Sequence, residues 1–302
     1  MKVVSVDPLT KNVFNIARRV AKERKPVVLI GETGTGKTFL ANYIHRLGEF
    51  NQEPFLSVRL TDFPETLIES EIFGVEEGVA TGVSKKGGIF ESVGFGTLCI
   101  SGVEDIPPKL QAVLLRLLES QEFERIGGKK KIRFSGRLIF EFQQEPEELI
   151  REKRLRDDLY YRINFFEIFI PPIRERKREI IPFLKEFLKK EMKRGLQFQL
   201  SDGFCQILLH YDWKGNVREI QNLAFYLASS GKENFDVEDL PPSFFISPFN
   251  PIEDGLTNRL TLRELTNSYI RAVVSAVGGN KTEASKWLKI SRKNLWERLK
   301  QK

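Results

Sequence analysis

Cysteine and histidine are scarce in this sequence of 302 residues, which contains two of each. Cys99 and Cys205 lie far apart in the chain, and no nearby residues have the spacing of metal ligands. A disulfide framework or a zinc site needs several such residues at close spacing, so the sequence argues against both. His45 and His210 are equally isolated, and a lone histidine is more often structural than catalytic.

Long apolar runs are also missing. The sequence has no stretch of about 20 apolar residues that would span a membrane. Residues 1–10 lack the apolar core of a secretory signal. We therefore expect a cytoplasmic protein without membrane contacts.

The net charge of +7 is moderate, and the basic residues concentrate toward the C-terminus. Their location is therefore more informative than their number. With 41% hydrophobic residues, a chain of this length is expected to form two or three domains.

Helical and strand patterns alternate through the first 170 residues. The strands are predicted at 27–30, 54–58, 97–100, 137–142 and 166–170, and the helices at 11–22, 39–47, 65–73 and 109–119. This alternation predicts an α/β domain with a parallel sheet and helices on both faces.

From residue 180 onward the pattern is all helical, with segments at 181–194, 202–211 and 217–229. Four prolines between 241 and 251 mark a linker, and short helices follow at 261–277, 281–288 and 291–300. We expect an α/β subdomain at 1–175, a helical lid at 176–240, a linker at 241–258 and a small all-α domain at 259–302.

A glycine-rich motif follows the first predicted strand. Residues 31–38 read GETGTGKT and match the GxxxxGK(S/T) pattern of a P-loop between a strand and a helix. In such a loop, main-chain N–H groups surround the β-phosphate, Lys37 reaches the outer phosphates, and Thr38 ligates Mg²⁺. The expected cofactor is ATP or ADP, with Mg²⁺. The candidate binding residues are Gly31, Glu32, Thr33, Gly34, Thr35, Gly36, Lys37 and Thr38.

Further motifs carry a resemblance to a known family. They lie at 64–74 (PETLIESEIFG), 114–128 (LLRLLESQEFERIGG), 156–164 (RDDLYYRIN), 171–176 (PPIRER) and 213–219 (WKGNVRE). In this order and spacing they resemble the AAA+ domain of bacterial enhancer-binding proteins, the ATP-driven activators of sigma-54 RNA polymerase. The resemblance covers roughly residues 8–240 and implies an AAA+ sheet domain followed by a helical lid.

The resemblance implies roles for three arginines. Arg218, at the start of a lid helix, would be the sensor-2 arginine that reaches the nucleotide phosphates. Arg156 and Arg162 would be arginine fingers offered to a nucleotide on a neighbouring subunit, which requires a ring. For an isolated arginine a surface ion pair would be favoured, but the surrounding motifs reverse that preference.

The loop with which this family contacts sigma-54 normally reads GAFTGA. The resemblance therefore implies sigma-54 or RNA polymerase as a partner. Alanine replaces the phenylalanine here, so the loop lacks its aromatic contact. Its residues are Gly78, Val79, Ala80, Thr81, Gly82 and Val83.

The sequence departs from the family where hydrolysis needs acids. A strand-end run like GTLFLDE supplies an aspartate that organises Mg²⁺ and a glutamate that polarises the attacking water. Residues 96–102 read GTLCISG here, so Ser101 and Gly102 stand in the two acidic positions. Glu104 and Asp105 follow about two residues too far along the chain, roughly 6–7 Å if it is extended.

Three further positions also differ from the family pattern. Arg59 replaces the asparagine that restrains the catalytic glutamate, and Phe142 and Gln143 replace the sensor-1 threonine and asparagine. The P-loop and Arg218 are kept. This combination favours a protein that binds nucleotide without turning it over.

Residues 277–292 (VGGNKTEASKWLKISR) resemble the Fis-type helix-turn-helix of the same family. Asn280 is expected to cap a helix that carries Ala284, Trp287 and Leu288 inward. Ser291 is expected to cap the recognition helix that follows.

The residues from Lys281 onward include eight basic and two acidic side chains, a net charge of 8 − 2 = +6, which suits contact with DNA phosphates. We expect Arg292, Lys293 and Asn294 to face the major groove, with Lys281 and Arg298 as further DNA contacts. The helix before them would supply a dimer contact that sets two recognition helices about 34 Å apart on a palindromic site. The alternative is that these basic residues, at the end of the chain, are merely solvated and do not contact DNA.

Only ten residues precede the first predicted helix, so we expect no receiver or ligand-sensing domain. The leading hypothesis is a DNA-binding transcription regulator whose AAA+ domain binds ATP or ADP without productive hydrolysis. One alternative is an active sigma-54 activator that uses another acid, such as Glu104. The other is a co-regulator that joins mixed rings with an active paralogue and lends it Arg156 and Arg162. Either a homodimer or a ring of identical subunits fits the leading hypothesis.

Overall fold

The computed structural model describes residues 5–78, 85–105, 107–192, 198–244, 261–276 and 280–300. The chain divides into two compact units. The first comprises residues 1–191 and 213–225, and the second comprises 192–212 and 226–302.

The first unit contains strands and helices in alternation. In chain order they are α1 (Pro8–Val20), β1 (Val27–Ile30), α2 (Lys37–Leu47), β2 (Phe55–Arg59), α3 (Glu65–Phe73), β3 (Gly74–Val75), β4 (Lys86–Gly87), α4 (Ile89–Val93), β5 (Thr97–Ser101), α5 (Pro108–Ser120), β6 (Glu122–Glu124), β7 (Lys131–Arg133), β8 (Arg137–Phe142), α6 (Pro146–Arg151), α7 (Asp157–Ile163), β9 (Phe166–Phe169) and α8 (Ile180–Glu191).

Five of these strands form a parallel sheet in the order β2-β5-β8-β1-β9. Strands β1 and β8 are buried along their whole length, as expected for a parallel sheet covered on both faces. One apolar core lies between the sheet and the side of α1 and α2, and a second lies on the side of α5 and α7. The α/β fold, its five strands and its two helical layers confirm the sequence prediction.

Two short antiparallel pairs, β3 with β4 and β6 with β7, were not predicted. Each strand has two or three residues, which is too short for an alternating pattern to be read from the sequence.

The prediction that the chain is entirely helical beyond residue 180 was wrong. A parallel pair of two-residue strands, β10 (Gln199–Leu200) and β11 (Asn234–Phe235), lies in the second unit. It brackets α9 (Asp202–His210) and α10 (Asn216–Ser229) in the chain. Ser201, directly after β10, caps α9 by accepting from the Phe204 amide at 3.1 Å. Strands of two residues have no sequence period to detect.

The start of the proline-rich stretch is structured. Pro242–Phe244 form a 3₁₀ turn, and the buried Phe244 ring stacks on Tyr211 with 4.3 Å between centroids. Residues 245–260, most of the expected linker, lie outside the described residues.

The predicted C-terminal helices are confirmed as α11 (Leu262–Ala276), α12 (Lys281–Trp287) and α13 (Arg292–Lys300). Their core consists of Ile270, Val273, Ala284 and Leu295. The expectation that Trp287 packs inward was wrong, since its side chain is 59% exposed. Ala284 and Ser285 occupy the buried face of this seven-residue helix, which leaves its last residue on the solvent side.

Candidate functional site

The P-loop joins the carboxyl end of β1 to the first turn of α2. The Gly31 amide donates to the Phe142 carbonyl of β8 at 3.2 Å, and Lys37 Nζ donates to the Glu32 carbonyl at 3.0 Å. Gly36 is the N-cap of α2 and has no side chain to accept its first N–H groups. The helix N-terminus therefore offers N–H groups and a positive dipole end to an anion.

The turn before α10 packs directly on the P-loop. The Val217 amide donates to the Gly34 carbonyl at 3.0 Å. A Cβ at Gly34, where φ is +81°, would lie 2.2 Å from the Gly215 carbonyl oxygen. Glycine at 34 is thus required by this approach as well as by its backbone angle, and the contact brings Arg218 to the loop.

Glu32 is held from two sides. Its carboxylate accepts from both terminal nitrogens of Arg174, with 2.8 Å between Nη1 and Oε2. Asn216 Nδ2 donates to the same Oε2 at 3.0 Å. The hydrogen bond from Arg174 lowers the pKa of Glu32. Sequence reasoning gave Asn216 and Arg174 no role, although both lie within the motifs that carried the resemblance.

A buried ion pair supports the other side of the loop. Arg176 Nη2 donates to the Thr35 carbonyl at 2.8 Å, and its Nη1 lies 3.4 Å from Glu179 Oε2. Thr10 of α1 donates to the same Glu179 oxygen at 2.9 Å. Both charged side chains are at most 5% exposed. This pair links α1, the P-loop and the start of α8.

A cavity of about 350 Å³ opens beside the P-loop, within the size range of nucleotide and cofactor sites. One part has an apolar lining that includes Val13, Phe14, Phe183 and Phe187. The charged residues of the described lining are five cations, Lys37, Arg59, Arg176, Lys190 and Arg218, and two carboxylates, Glu141 and Glu186. This excess of positive charge suits a polyanionic ligand with an apolar end.

The two strand-end positions line this cavity without any carboxylate. Ser101 ends β5, and its hydroxyl lies 3.4 Å from the Val58 carbonyl oxygen. Gly102 follows in the left-handed region, with φ +73°. Asp105 forms an ion pair with Arg154 at 3.6 Å, and among the described residues it is not part of the cavity lining.

The residues at the sensor-1 positions separate into one core residue and one loop contact. Phe142 is fully buried in the apolar core. Gln143 lines the cavity, and its Oε1 accepts from the Thr33 hydroxyl at 2.5 Å. Arg59, at the end of β2, also lines the cavity.

Glu141 is a cavity residue that sequence reasoning missed. It lies on β8, is 4% exposed, and accepts from the Cys99 thiol with 3.0 Å between Sγ and Oε1. Burial, and then the charge of Glu141, raise the pKa of Cys99. The signal was visible as a single acid in the otherwise apolar strand end LIFEF. A charged residue in a strand buried on both faces is uncommon unless it has a partner or a ligand.

The two predicted arginine fingers lie outside the cavity lining of the described residues. Arg156 forms a two-pronged pair with Asp158, at 3.0 Å from Nε and 2.7 Å from Nη2. Arg162 Nη2 donates to the Leu118 carbonyl at 3.2 Å. Both side chains are exposed. The predicted partner loop is described only at Gly78, because residues 79–83 lie outside the described residues.

The predicted DNA contacts lie on α12 and α13. Asn280 caps α12 by accepting from the Thr282 and Glu283 amides at 3.1 and 3.3 Å. Ser291 caps α13 by accepting from the Asn294 amide at 3.2 Å, and Asn294 Oδ1 accepts from Arg298 Nε at 3.1 Å. Lys281, Arg292, Lys293 and Asn294 are all exposed. Trp296, one helical turn after Arg292, is 50% exposed beside them.

Family comparisons agree with this division of sites. The sigma-54 interaction domain matches residues 3–169, more than half of the chain. The chain belongs to the sigma-54 activator family. The AAA+ ATPase lid domain matches residues 174–250, and the Fis family of bacterial regulatory proteins matches residues 261–301.

Several sigma-54-type regulators are similar in sequence. The Nif-specific regulatory protein of Azotobacter vinelandii is 40% identical over 223 residues, covering 73% of this chain and 42% of that protein. The phenol regulator MopR of Acinetobacter guillouiae is 33% identical, covering 96% and 54%. XylR of Pseudomonas putida is 32% identical, covering 97% and 56%. The chain thus spans about half the length of these relatives.

Among solved structures, NtrX from Brucella abortus was crystallised with ATP and with ADP. Its ATP complex is 25% identical to this sigma-54 family chain, with a TM-score of 0.74. The match covers 99% of this chain and 69% of that one.

The cavity residues fit a Mg²⁺ ion that arrives with a nucleotide. No group of three or more His, Cys, Asp or Glu side chains is arranged as a metal site in the described ranges. Mg²⁺ bound to phosphates needs few protein ligands, because water and phosphate oxygens fill most positions. Thr38 and Glu141 place a hydroxyl and a carboxylate on the cavity wall.

None of the helices in the described part of the chain has the length and apolar character needed to cross a bilayer.

Proposed function

We propose that this chain is a DNA-binding transcription regulator of the sigma-54 activator type whose AAA+ domain binds ATP or ADP but hydrolyses ATP slowly or not at all. The observation that carries the proposal is the contrast within one cavity. The P-loop is complete and hydrogen-bonded by Arg176 and Asn216, whereas the strand end in the same cavity presents Ser101 and Gly102 in place of two acids.

Nucleotide binding is supported by the cationic cavity and by NtrX, a structural neighbour crystallised with ATP and ADP. Lys37 and Arg218 would contact the phosphates, and the apolar part of the cavity would receive the base. A rate-accelerating carboxylate that polarises water contributes typically 10²–10⁴-fold. Its loss at position 102 leaves binding possible and turnover slow.

DNA binding is supported by the match to the Fis family and by the exposed basic residues of α12 and α13. Arg292, Lys293 and Asn294 at the start of α13 would read base edges, with Lys281 and Arg298 near the phosphates. A homodimer through α11 on a palindromic site fits this family of domains.

We also propose the domain division 1–175, 176–240, 241–258 and 259–302.

Partners other than DNA follow from the family. The sigma-54 interaction domain suggests sigma-54 as a partner, and its contact would use residues 78–83. Arg156 and Arg162 are exposed, which suits a role at a neighbouring subunit in a homo-oligomeric or mixed ring.

The test measures nucleotide binding and hydrolysis side by side on the purified chain. Fluorescent ATP and ADP analogues are expected to bind, and Lys37→Ala to abolish binding. Phosphate release is expected to stay at or only slightly above the level of the Lys37→Ala protein. Release at a rate comparable with ordinary members of the family, and lost in Lys37→Ala, would show an active ATPase and overturn the proposal.

A further inference from the structure

Glu141 lies in the row of residues that forms the carboxyl edge of the sheet. It pairs in register with Leu29 of β1 on one side and with Ser101 of β5 on the other. The next residue, Phe142, accepts from the Gly31 amide at 3.2 Å. Glu141 is therefore on the strand directly alongside the P-loop, one strand closer to it than Ser101.

The carboxylate is almost fully enclosed yet has a weak protein partner. The hydrogen bond that it accepts within the described residues comes from the Cys99 thiol, and a thiol is a weak donor. An ionised carboxylate has about four acceptor sites, and burying it without strong partners is costly. Glu141 lines the same cavity as Lys37 and Thr38. Its remaining acceptor capacity is thus available at the phosphate end of the nucleotide site.

Glu141 is also better placed than the other described acid of the lining. Glu186 lies on α8 among Phe183, Phe187 and Lys190, which line the cavity with it. Glu141 instead lies at the carboxyl end of the sheet, as do the P-loop and Ser101. A carboxylate at the carboxyl end of the sheet, in the same cavity as a P-loop threonine, supplies the oxygen chemistry that Mg²⁺ prefers.

We propose that Glu141 is the carboxylate that holds the hydrated Mg²⁺ of a bound Mg²⁺–nucleotide complex, taking over from the strand-end acid that is missing at Ser101. The inference rests on the proposed nucleotide binding and makes it specific to the metal complex. It leaves the water-polarising position at Gly102 without an acid, so it adds metal binding and no turnover.

The proposal predicts opposite effects of one substitution in two media. Without metal, the negative charge of Glu141 repels the phosphates, so Glu141→Gln binds ADP more tightly than the wild type. With Mg²⁺, the substitution removes a metal-holding group and weakens binding. The ratio of the Kd in EDTA to the Kd in Mg²⁺ is expected to fall at least about tenfold, the low end of the effect of removing a supporting group at a metal.

The experiment titrates a fluorescent ADP analogue into the wild type, Glu141→Gln and Glu148→Gln, each in Mg²⁺ and in EDTA. Glu148 is an exposed residue of α6, so its variant is expected to keep the wild-type ratio. Cys99→Ala removes the thiol hydrogen bond and keeps the carboxylate, and it is also expected to keep the ratio. If the ratio of the Kd in EDTA to the Kd in Mg²⁺ falls equally in Cys99→Ala and Glu141→Gln, the role of Glu141 is merely structural and the proposal is overturned.

A second readout needs no folded variant at position 141. Mn²⁺ replaces Mg²⁺, and its electron paramagnetic resonance signal reports metal held by the ADP-loaded wild type. ADP that binds the wild type equally well with and without metal would overturn the role of Glu141. ADP that fails to bind in either medium would instead overturn the proposed function.

Discussion

Asn216 Oδ1 accepts from the buried Ile173 amide at 2.8 Å, while its Nδ2 donates to Glu32 of the P-loop at 3.0 Å. Asn216 is fully buried and has a φ of +53°. Asparagine tolerates this left-handed conformation better than most residues. One side chain thus fixes the turn after the sheet, the P-loop and the start of α10.

Asn216→Ala is expected to lower the free energy of unfolding by about 2–4 kcal/mol. The buried Ile173 amide loses its acceptor, which costs about 1–3 kcal/mol, and alanine is strained by about 1 kcal/mol at this backbone angle. Urea unfolding measures the change. Asn216→Gly relieves the strain of the backbone angle but still lacks the side-chain amide. Its free energy of unfolding should therefore lie between those of the wild type and Asn216→Ala. A glycine variant less stable than the alanine variant would contradict this account.

The Glu32–Arg174 pair gives a pH-dependent contribution to stability. Because Arg174 lowers the pKa of Glu32 below its ordinary value of 4.5, the pair stabilises the fold fully above pH 4.5. That contribution disappears as the pH falls through the lowered pKa. The wild type should therefore exceed Glu32→Gln in Tm at pH 7 by an amount equivalent to about 1 kcal/mol at most, since both side chains are partly exposed. The two Tm values should converge in acid, and a gap that widens in acid would refute the assignment.

Gly102 limits any attempt to restore the missing acids. Its φ of +73° strains a residue with a Cβ by about 1–2 kcal/mol. The nearest atom to a Cβ there, Thr61 Cγ2, is 3.7 Å away, so the penalty is conformational and not steric. We expect Gly102→Glu to lose about 1–2 kcal/mol of stability in thermal unfolding, while Ser101→Asp keeps close to wild-type stability. If Gly102→Glu is as stable as the wild type, the backbone at residue 102 readily adopts another conformation.

The sequence predicted the parallel sheet and the P-loop because both depend on local patterns. Apolar runs such as VVLI at Val27–Ile30 mark buried strands, and the GETGTGKT motif fixes a loop between a strand and a helix. Glu141 was missed because its importance depends on the order of strands. Residue 141 lies 40 positions after Ser101 in sequence and becomes its register neighbour only when β8 inserts between β5 and β1. Trp287 was placed wrongly because helical spacing alone does not show which of several apolar residues a small core can hold.

The two cysteine thiols are expected to differ in reactivity. Cys99 is fully buried, and burial followed by the charge of Glu141 raises its thiol pKa, so it stays protonated and inaccessible. Cys205 is partly exposed. A chromogenic disulfide reagent at pH 8 should modify Cys205 rapidly and Cys99 only on unfolding. The Cys205→Ser protein should show no rapid phase, and a rapid native phase in that variant would contradict the buried environment of Cys99.

The exposed residues of α12 and α13 lead to a prediction about DNA binding. Lys281→Ala should remove one phosphate contact, weaken binding to all sequences alike, and reduce the slope of log K against log salt by about one. Arg292→Ala should remove a base contact, cost about 1–3 kcal/mol on the specific site, and leave binding to unrelated DNA less affected. Tryptophan fluorescence supplies the readout, because Trp287 and Trp296 are exposed near these residues while Trp213 is fully buried. The specific site is first selected from random DNA with the wild-type protein. If both variants lose affinity equally on specific and unrelated DNA, α13 contacts only phosphates and does not read bases.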